Sequence, residues 1–257
     1  MANHKLSIIT INRNNSFGLE KTIQSVLGQA FDDFEYIIID GASDDGSRDV
    51  INQHTHRLAY WVSEPDTGIY SAMNKGIKYA RGGYCLFLNS GDSLYSNDAL
   101  AELFQKQPEA DIVYTNQHRI GPNGERVTLF PPKLTFYWLF TEYLPHNCML
   151  IKRSLFEQIG LYNETYRIVA DWEFYLKALA RYNCTYRHYN MVLASMADGG
   201  VSNAPEYNQH VAAERDAVIR DAFPLFYEDY ASLYDLRYNA ITKKIKRTLK
   251  KALKMGK

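Results

Sequence analysis

Cysteine is scarce in this sequence, and the three present, Cys85, Cys148 and Cys184, are odd in number, far apart and without a CxxC pair. That excludes a disulfide framework and a cysteine zinc site, and fits free thiols in a reducing cytoplasm. No run of 18 apolar residues occurs, so nothing reads as a membrane span. The opening MANHKLSIITI lacks a separate charged region, apolar core and small-residue cleavage site, and Leu6–Ile11 reads as a strand instead. Also missing are a G-x-G-x-x-G after that strand, a P-loop, a G-x-S-x-G elbow and an H-E-x-x-H pair. Their absence weighs against dinucleotide oxidoreductases, P-loop NTPases and the common hydrolases.

What is present is an ordinary globular balance, 46% hydrophobic and 23% charged over 257 residues. That is enough chain for one large domain with an appendage. Net charge is zero but unevenly placed. From Ile241 onward there are eight Lys or Arg and no acid, which leaves 21 basic against 29 acidic residues in the body. An acidic body without a basic groove argues against nucleic acid as a partner.

The first 115 residues alternate between strand and helix patterns. Strands are expected at Leu6–Ile11, Phe34–Ile39, Leu58–Val62, Tyr84–Leu88 and Asp111–Tyr114. Helices are expected after the first strand through Leu19, Ile23, Val26 and Leu27, then at Ser47–His56, Gly68–Arg81 (ended by Gly82-Gly83) and Asp98–Gln107. Such alternation predicts an α/β fold, Rossmann-like, with a mostly parallel sheet and helices on both faces. Ligands bind such sheets beyond the carboxyl ends of the strands. There the sequence places Asp40–Ser47, Ser63–Gly68 and Asn89–Asp92, all acidic or polar loops bearing glycine. Each alone reads equally well as a turn. Together their carboxylates would repel unless a cation or ligand used them.

LSIITINRN, EYIIIDGASDDGS and SEPDTGIYSAMNKGIKYARGGYCLFLNSGD resemble family 2 glycosyltransferases, in particular the bacterial subgroup that builds O-antigen, capsule and other exopolysaccharide repeats. The resemblance implies a GT-A fold and an inverting transfer of sugar from a nucleotide-sugar donor, with a UDP-sugar favoured. By it, Thr10, Arg13 and Asp40 would hold the base, and Asp66, Asn74 and Lys75 would approach the ribose and diphosphate. Arg13 stands where an aromatic residue is usual, and Met73 where an arginine often is, which shifts charge compensation to Lys75. Asn89-Ser90-Gly91-Asp92 matches the metal motif, with Asp92 as the ligand to Mn²⁺ or Mg²⁺. A hard cation needs oxygen ligands, and one carboxylate with diphosphate oxygens and waters suffices.

Beyond residue 115 the chain turns aromatic: Phe130, Phe136, Tyr137, Trp138, Phe140 and Tyr143. These rings suit a core, an interface that would support a homo-oligomer, or stacking on sugar. His146–Ile151 reads as a strand, and Ser154 with Glu157 as a capping box opening a helix that Gly160 ends. Ala170-Asp171-Trp172-Glu173 resembles a reduced form of the family's catalytic motif. It implies Asp171 as the base, with His146, Trp172 and Glu173 on the acceptor; without the resemblance, Asp171 reads as a helix N-cap. Ala197–Ser202 resembles a loop that folds over the diphosphate.

The domain organisation expected is a nucleotide-sugar half (1–115), an acceptor and base half of the same domain (116–205) and a helical extension (206–257). Ile241, Ile245, Leu249 and Leu253 form an apolar stripe flanked by lysines, a pattern suited to an anionic membrane surface. It would hold a cytoplasmic enzyme on the inner face of the cell membrane, beside a saccharide or lipid-linked saccharide acceptor. Two other readings are a non-catalytic carbohydrate- or nucleotide-binding relative and a sugar nucleotidyltransferase. The latter calls for a glycine-rich basic loop, which Asn12–Gly18 matches poorly.

Overall fold

The computed structural model describes residues 4–122, 124–197 and 208–234. Its centre is built from β1 (Leu6–Asn12), β2 (Phe34–Asp40), β3 (Tyr60–Ser63) and β4 (Tyr84–Phe87), with α1 (Ser16–Leu27), α2 (Ser47–His54) and α3 (Ile69–Tyr79) between them. These strands pair in parallel in the order β3-β2-β1-β4. The apolar stretches of β1, β2 and β4 follow from burial on both faces, whereas the edge strand β3 is only half-buried. Ile9, Ile11, Ile37 and Ile39 pack with Met73 and Ile77 of α3 on one side. Ile8, Tyr36 and Ile38 pack with Leu19, Ile23 and Val26 of α1 on the other.

Past β4 the sheet becomes mixed. The remaining elements are β5 (Ser93–Leu94), α4 (Ala99–Gln105), β6 (Ile112–Gly121), β7 (Gly124–Thr128), α5 (Phe136–Thr141), β8 (Met149–Lys152), α6 (Arg153–Gln158), α7 (Ala170–Ala180), β9 (Tyr186–Ala197) and α8 (Asn208–Ala222). β8 runs antiparallel to both β4 and β6, while β9 is parallel to β6 and antiparallel to β5.

Several local expectations need correction. α3 ends at Tyr79, where Ala80 turns extended, and not at the glycine pair. The fifth expected strand, β6, runs on past Tyr114 as far as Gly121. Thr115, Asn116, Gln117 and His118 are buried there, and their polarity hid the strand because it is satisfied by partners distant in sequence: Gln117 by Asn147, His118 by Ser195. The strand expected from His146 begins as a 3₁₀ turn, and only Met149 onward pairs. Lys152, not Ser154, precedes α6, with no side-chain cap. The N-cap of α7 is Val169, which puts Asp171 inside the first turn.

α3 sits close enough to β1 that a Cβ on Gly76 would run into Ile9 Cγ2. Gly76→Ala is therefore expected to destabilise the fold. Overpacking costs about 1–3 kcal/mol, while the gain in helix propensity is at most about 1 kcal/mol. Chemical denaturation would check this, and a variant as stable as the parent would show that the two layers yield freely.

Candidate active site

Strand order reverses at β1, with β2 on one side and β4 on the other. Such a switch point opens a crevice at the carboxyl ends of the strands. On the β2 side, Asp40 Oδ1 accepts from Asn12 Nδ2 (2.7 Å) and Ser43 Oγ (2.6 Å), and Oδ2 from Ser43 N (3.0 Å) and Ser63 Oγ (2.6 Å). Burial pushes the pKa of Asp40 up, but these donors outweigh it and hold the group below the ordinary value. A carboxylate has about four acceptor sites, so the protein itself fills those of Asp40. The open acceptor is Asn12 Oδ1, buried and without a partner among the described residues. The sequence reading did not single out Asn12.

Thr10 is fully buried with its hydroxyl on Tyr36 (3.0 Å), so its side chain does not reach the crevice. Arg13 is exposed. A Cβ on Gly41 would lie 2.5 Å from Asp66 Oδ2 and 3.5 Å from Arg13 Cδ, so the loops after β1, β2 and β3 meet over that glycine. Asp66 Oδ1 accepts from Gly68 N (3.1 Å). Lys75 reaches back along α3 to Glu64 Oε1 (2.8 Å) and the Pro65 carbonyl (2.9 Å), bracing the same loop. Asn74 is committed elsewhere. Its amide takes Tyr162 N and gives to Tyr162 O and Glu164 Oε1, tying α3 to the segment before α7.

On the β4 side, Asn89–Asp92 form a tight turn in which Gly91 has φ +104°. Helix α1 grips it: Asn15 donates to Ser90 O (2.9 Å), Thr22 Oγ1 donates to Asp92 O (2.6 Å), and Gly91 N donates to Thr22 Oγ1 (3.0 Å). Asp92 Oδ2 accepts from Asn89 N (3.1 Å). Burial pushes the Asp92 carboxyl up to about 6, against the pull of His146 and Asn147. Beside it, Asn89 Oδ1 is shut off from water without a hydrogen-bond partner among the described residues.

Asp171 lies across His146 from this turn. Its Oδ2 is 3.3 Å from His146 Nδ1, and its Oδ1 accepts from Tyr70 Oη (2.8 Å) and Trp172 N (2.9 Å). Burial would lower the imidazole pKa, but the bond to Asp171 and the charges of Asp171 and Asp92 raise it overall. His146 Nε2 is buried and unpartnered among the described residues. Tyr70, inside the helix expected at Gly68–Arg81, is a further member of the site that the sequence did not single out.

The other two expected acceptor residues lie in the interior. Trp172 is 3% exposed, its indole N–H bonded to Leu139 O and its ring covered by the Arg215 guanidinium at 4.5 Å. Glu173 is 5% exposed and paired with Lys177 (2.6 Å) one turn along its own helix. α8 supports this region from behind. Glu214 accepts from the N–H groups of Arg167, Ile168 and Val169 leading into α7, and Arg215 donates to the carbonyls of Leu139, Phe140 and Glu142. The aromatic stretch divides. Phe136 packs on Phe223 and Tyr230, whereas Phe130, Tyr137 and Trp138 line an open cavity of about 560 Å³. The loop from Ala197 to Ser202 falls, after Ala197, outside the described residues, as does the basic tail.

The model of Glycosyl transferase family 2 matches residues 7–168, which contain every element of this crevice up to the turn preceding Asp171. The chain belongs to that family. A PGL/p-HBAD biosynthesis glycosyltransferase of Mycobacterium bovis is 32% identical over 210 residues, covering 79% of this chain and 81% of the relative. An uncharacterised glycosyltransferase of Mycobacterium tuberculosis is 34% identical over 179 residues, 67% of this chain and 68% of its own. Family 2 membership and these relatives make the protein a glycosyltransferase. Among solved structures, Staphylococcus aureus TarS 1-349 with UDP-GlcNAc superposes with a TM-score of 0.65 at 18% identity, over 84% of this chain and 66% of that one. The mannosyltransferase PcManGT of Pyrobaculum calidifontis, with GDP-Man and Mn²⁺, gives 0.66 at 15% identity, over 90% of this chain and 69% of that one. At such identities the likeness establishes the GT-A fold alone.

Proposed function

We propose that this glycosyltransferase moves a sugar from a nucleotide-sugar donor to an acceptor hydroxyl with inversion, and that Asp171 is the base. One observation carries the reading: a carboxylate held by Tyr70 and His146 at the crevice, with the charge of Asp92 acting on the same imidazole. Asp171 accepts the acceptor's proton as the new bond forms. Asp171 and Asp92 both raise the His146 pKa and so favour the charged imidazole beside them, while its buried Nε2 has no partner among the described residues.

Among the described residues no cluster of three or more His, Cys, Asp or Glu is arranged to hold a metal. Asp92 with the unpartnered Asn89 Oδ1 nonetheless suits a hard cation that shares its shell with the donor's diphosphate and waters. Mn²⁺ or Mg²⁺ bound there would supply positive charge to the departing nucleoside diphosphate. Arg13, Asp66 and the Asn12–Asp40 pair would enclose the nucleoside, and Asn12 Oδ1 would accept the base N–H expected at Asp40. The nucleotides bound to the solved neighbours support a UDP- or GDP-sugar.

The acceptor reading is a lipid-linked saccharide of a surface glycoconjugate, approached from the aromatic cavity beside α5. The basic tail would rest on the inner membrane face, its lysines flanking the apolar stripe of Ile241, Ile245, Leu249 and Leu253. A panel of UDP, GDP, dTDP and CDP, each with and without Mn²⁺, tests the donor. One nucleotide at about 100-fold excess over its Kd is expected to raise Tm by about 5 °C or more, with most of the shift requiring metal. No shift with any nucleotide would favour a non-catalytic relative.

A further inference from the structure

The geometry points to Tyr70 as a positioning residue for the transfer step: its hydroxyl fixes the Asp171 carboxylate, and α3 ties that carboxylate to the donor-side loop 64–68. This rests on reading Asp171 as the base.

Tyr70 is 5% exposed and in the first turn of α3, so it holds the base from within the protein and touches no substrate. Its single proton is shared between Asp171 Oδ1 and the Ile168 carbonyl. The Asp side chain turns easily about its last bond, and something must choose which oxygen meets the acceptor. Oδ1 is already occupied by Tyr70 and Trp172 N, whereas Oδ2 has only the longer contact to His146. The free lone pair, and with it the proton-accepting position, is therefore on Oδ2. Removing the Tyr70 hydroxyl leaves the ring, 5.6 Å from that of Tyr162, but frees the carboxylate to rotate.

The same helix carries the second half of the argument. Gly68 caps its start, two residues after Asp66, and Lys75 braces Glu64 and Pro65 from about two turns further on. Asn74, also on α3, holds the Tyr162–Glu164 segment that leads to Asp171. A displacement of the donor-side loop is thus carried to the base by one rigid element, with Tyr70 as the contact.

The test uses the full chain and measures release of nucleoside diphosphate from UDP-, GDP- and dTDP-sugars with Mn²⁺, water serving as the acceptor hydroxyl. Tyr70→Phe is expected to lower kcat about 10- to 100-fold, the rate equivalent of a hydrogen bond to a charged group. Nucleotide affinity should change by less than about twofold, since a positioning effect appears in kcat alone. Tyr175→Phe is the matched control. It loses an equally buried hydroxyl on α7, where Tyr175 Oη accepts from Leu144 N (2.8 Å), without touching Asp171. It should lower Tm with kcat within about threefold, a packing effect only. A Tyr70→Phe enzyme with normal kcat, or one whose loss Tyr175→Phe reproduces, overturns the assignment. Asp171→Asn separates the two layers: if that variant stays active the base reading falls and the assignment with it, and if it is dead while Tyr70→Phe is normal only the assignment falls.

Discussion

Asp171→Asn is expected to lower transfer about a thousandfold, within the range of about 10²–10⁴ for loss of a general base. The change is isosteric, and the surroundings decide what it does. At the Oδ1 position an amide nitrogen would face Trp172 N, a donor that cannot turn away. The amide therefore places its nitrogen on the His146 side, where Nδ1 must then give up its proton and serve as acceptor. The variant loses the base and, in the same step, the largest influence favouring the charged imidazole. Donor binding, assigned to other loops in the proposed reading, should stay within about threefold, as for an interaction made chiefly in the transition state. Single-turnover transfer together with nucleotide titration would measure both. More than a tenth of the parent rate remaining would remove Asp171 from the mechanism.

Asp92→Asn should act in two directions at once. In the folded protein the Asp92 carboxyl sits at about 6 against an ordinary 3.8, so folding takes up a proton as pH falls. Its contribution to stability is complete below the unfolded value and is lost as pH rises through about 6. At neutral pH without cation the buried charge is then a cost, on the order of 2–3 kcal/mol. The asparagine variant should accordingly melt higher than the parent at pH 7.5 in chelator, by about 5 °C or more. With Mn²⁺ and the preferred nucleotide the order should reverse. The parent gains, the variant gains little, and transfer falls about 10²- to 10³-fold as for loss of electrostatic stabilisation. The parent's metal response should itself fade below about pH 6 as Asp92 takes up its proton. A variant that melts lower than the parent in chelator, or that keeps the metal-dependent shift, would contradict this account.

The parallel half of the sheet was legible because its strands are buried on both faces and appear as bare apolar runs such as Ile8-Ile9 and Ile37-Ile38-Ile39. The acidic loops were legible because strand order alone dictates where they gather. β6 was not legible past Tyr114, since Thr115 to His118 are polar and their burial depends on distant partners. Side-chain roles were hardest where a residue's neighbours come from far along the chain. Thr10 and Trp172 carry plausible chemistry, yet Tyr36 and Arg215 enclose them. Tyr70 passed unnoticed because Asp171, 101 positions away, gives no local signal. An orphaned atom such as Asn12 Oδ1 can be recognised only once every other partner has been placed.

Glu214 and Arg215 lie beyond the stretch that the family model matches, yet they hold the lead-in to α7 and the end of α5. The segment after residue 205 is therefore no exchangeable cassette. A chimera that kept the catalytic half and took another protein's C-terminus would inherit three ownerless N–H groups just ahead of the helix that bears Asp171. A seam for exchanging the C-terminus has to lie downstream of α8 and of Tyr230, whose ring packs on Phe136.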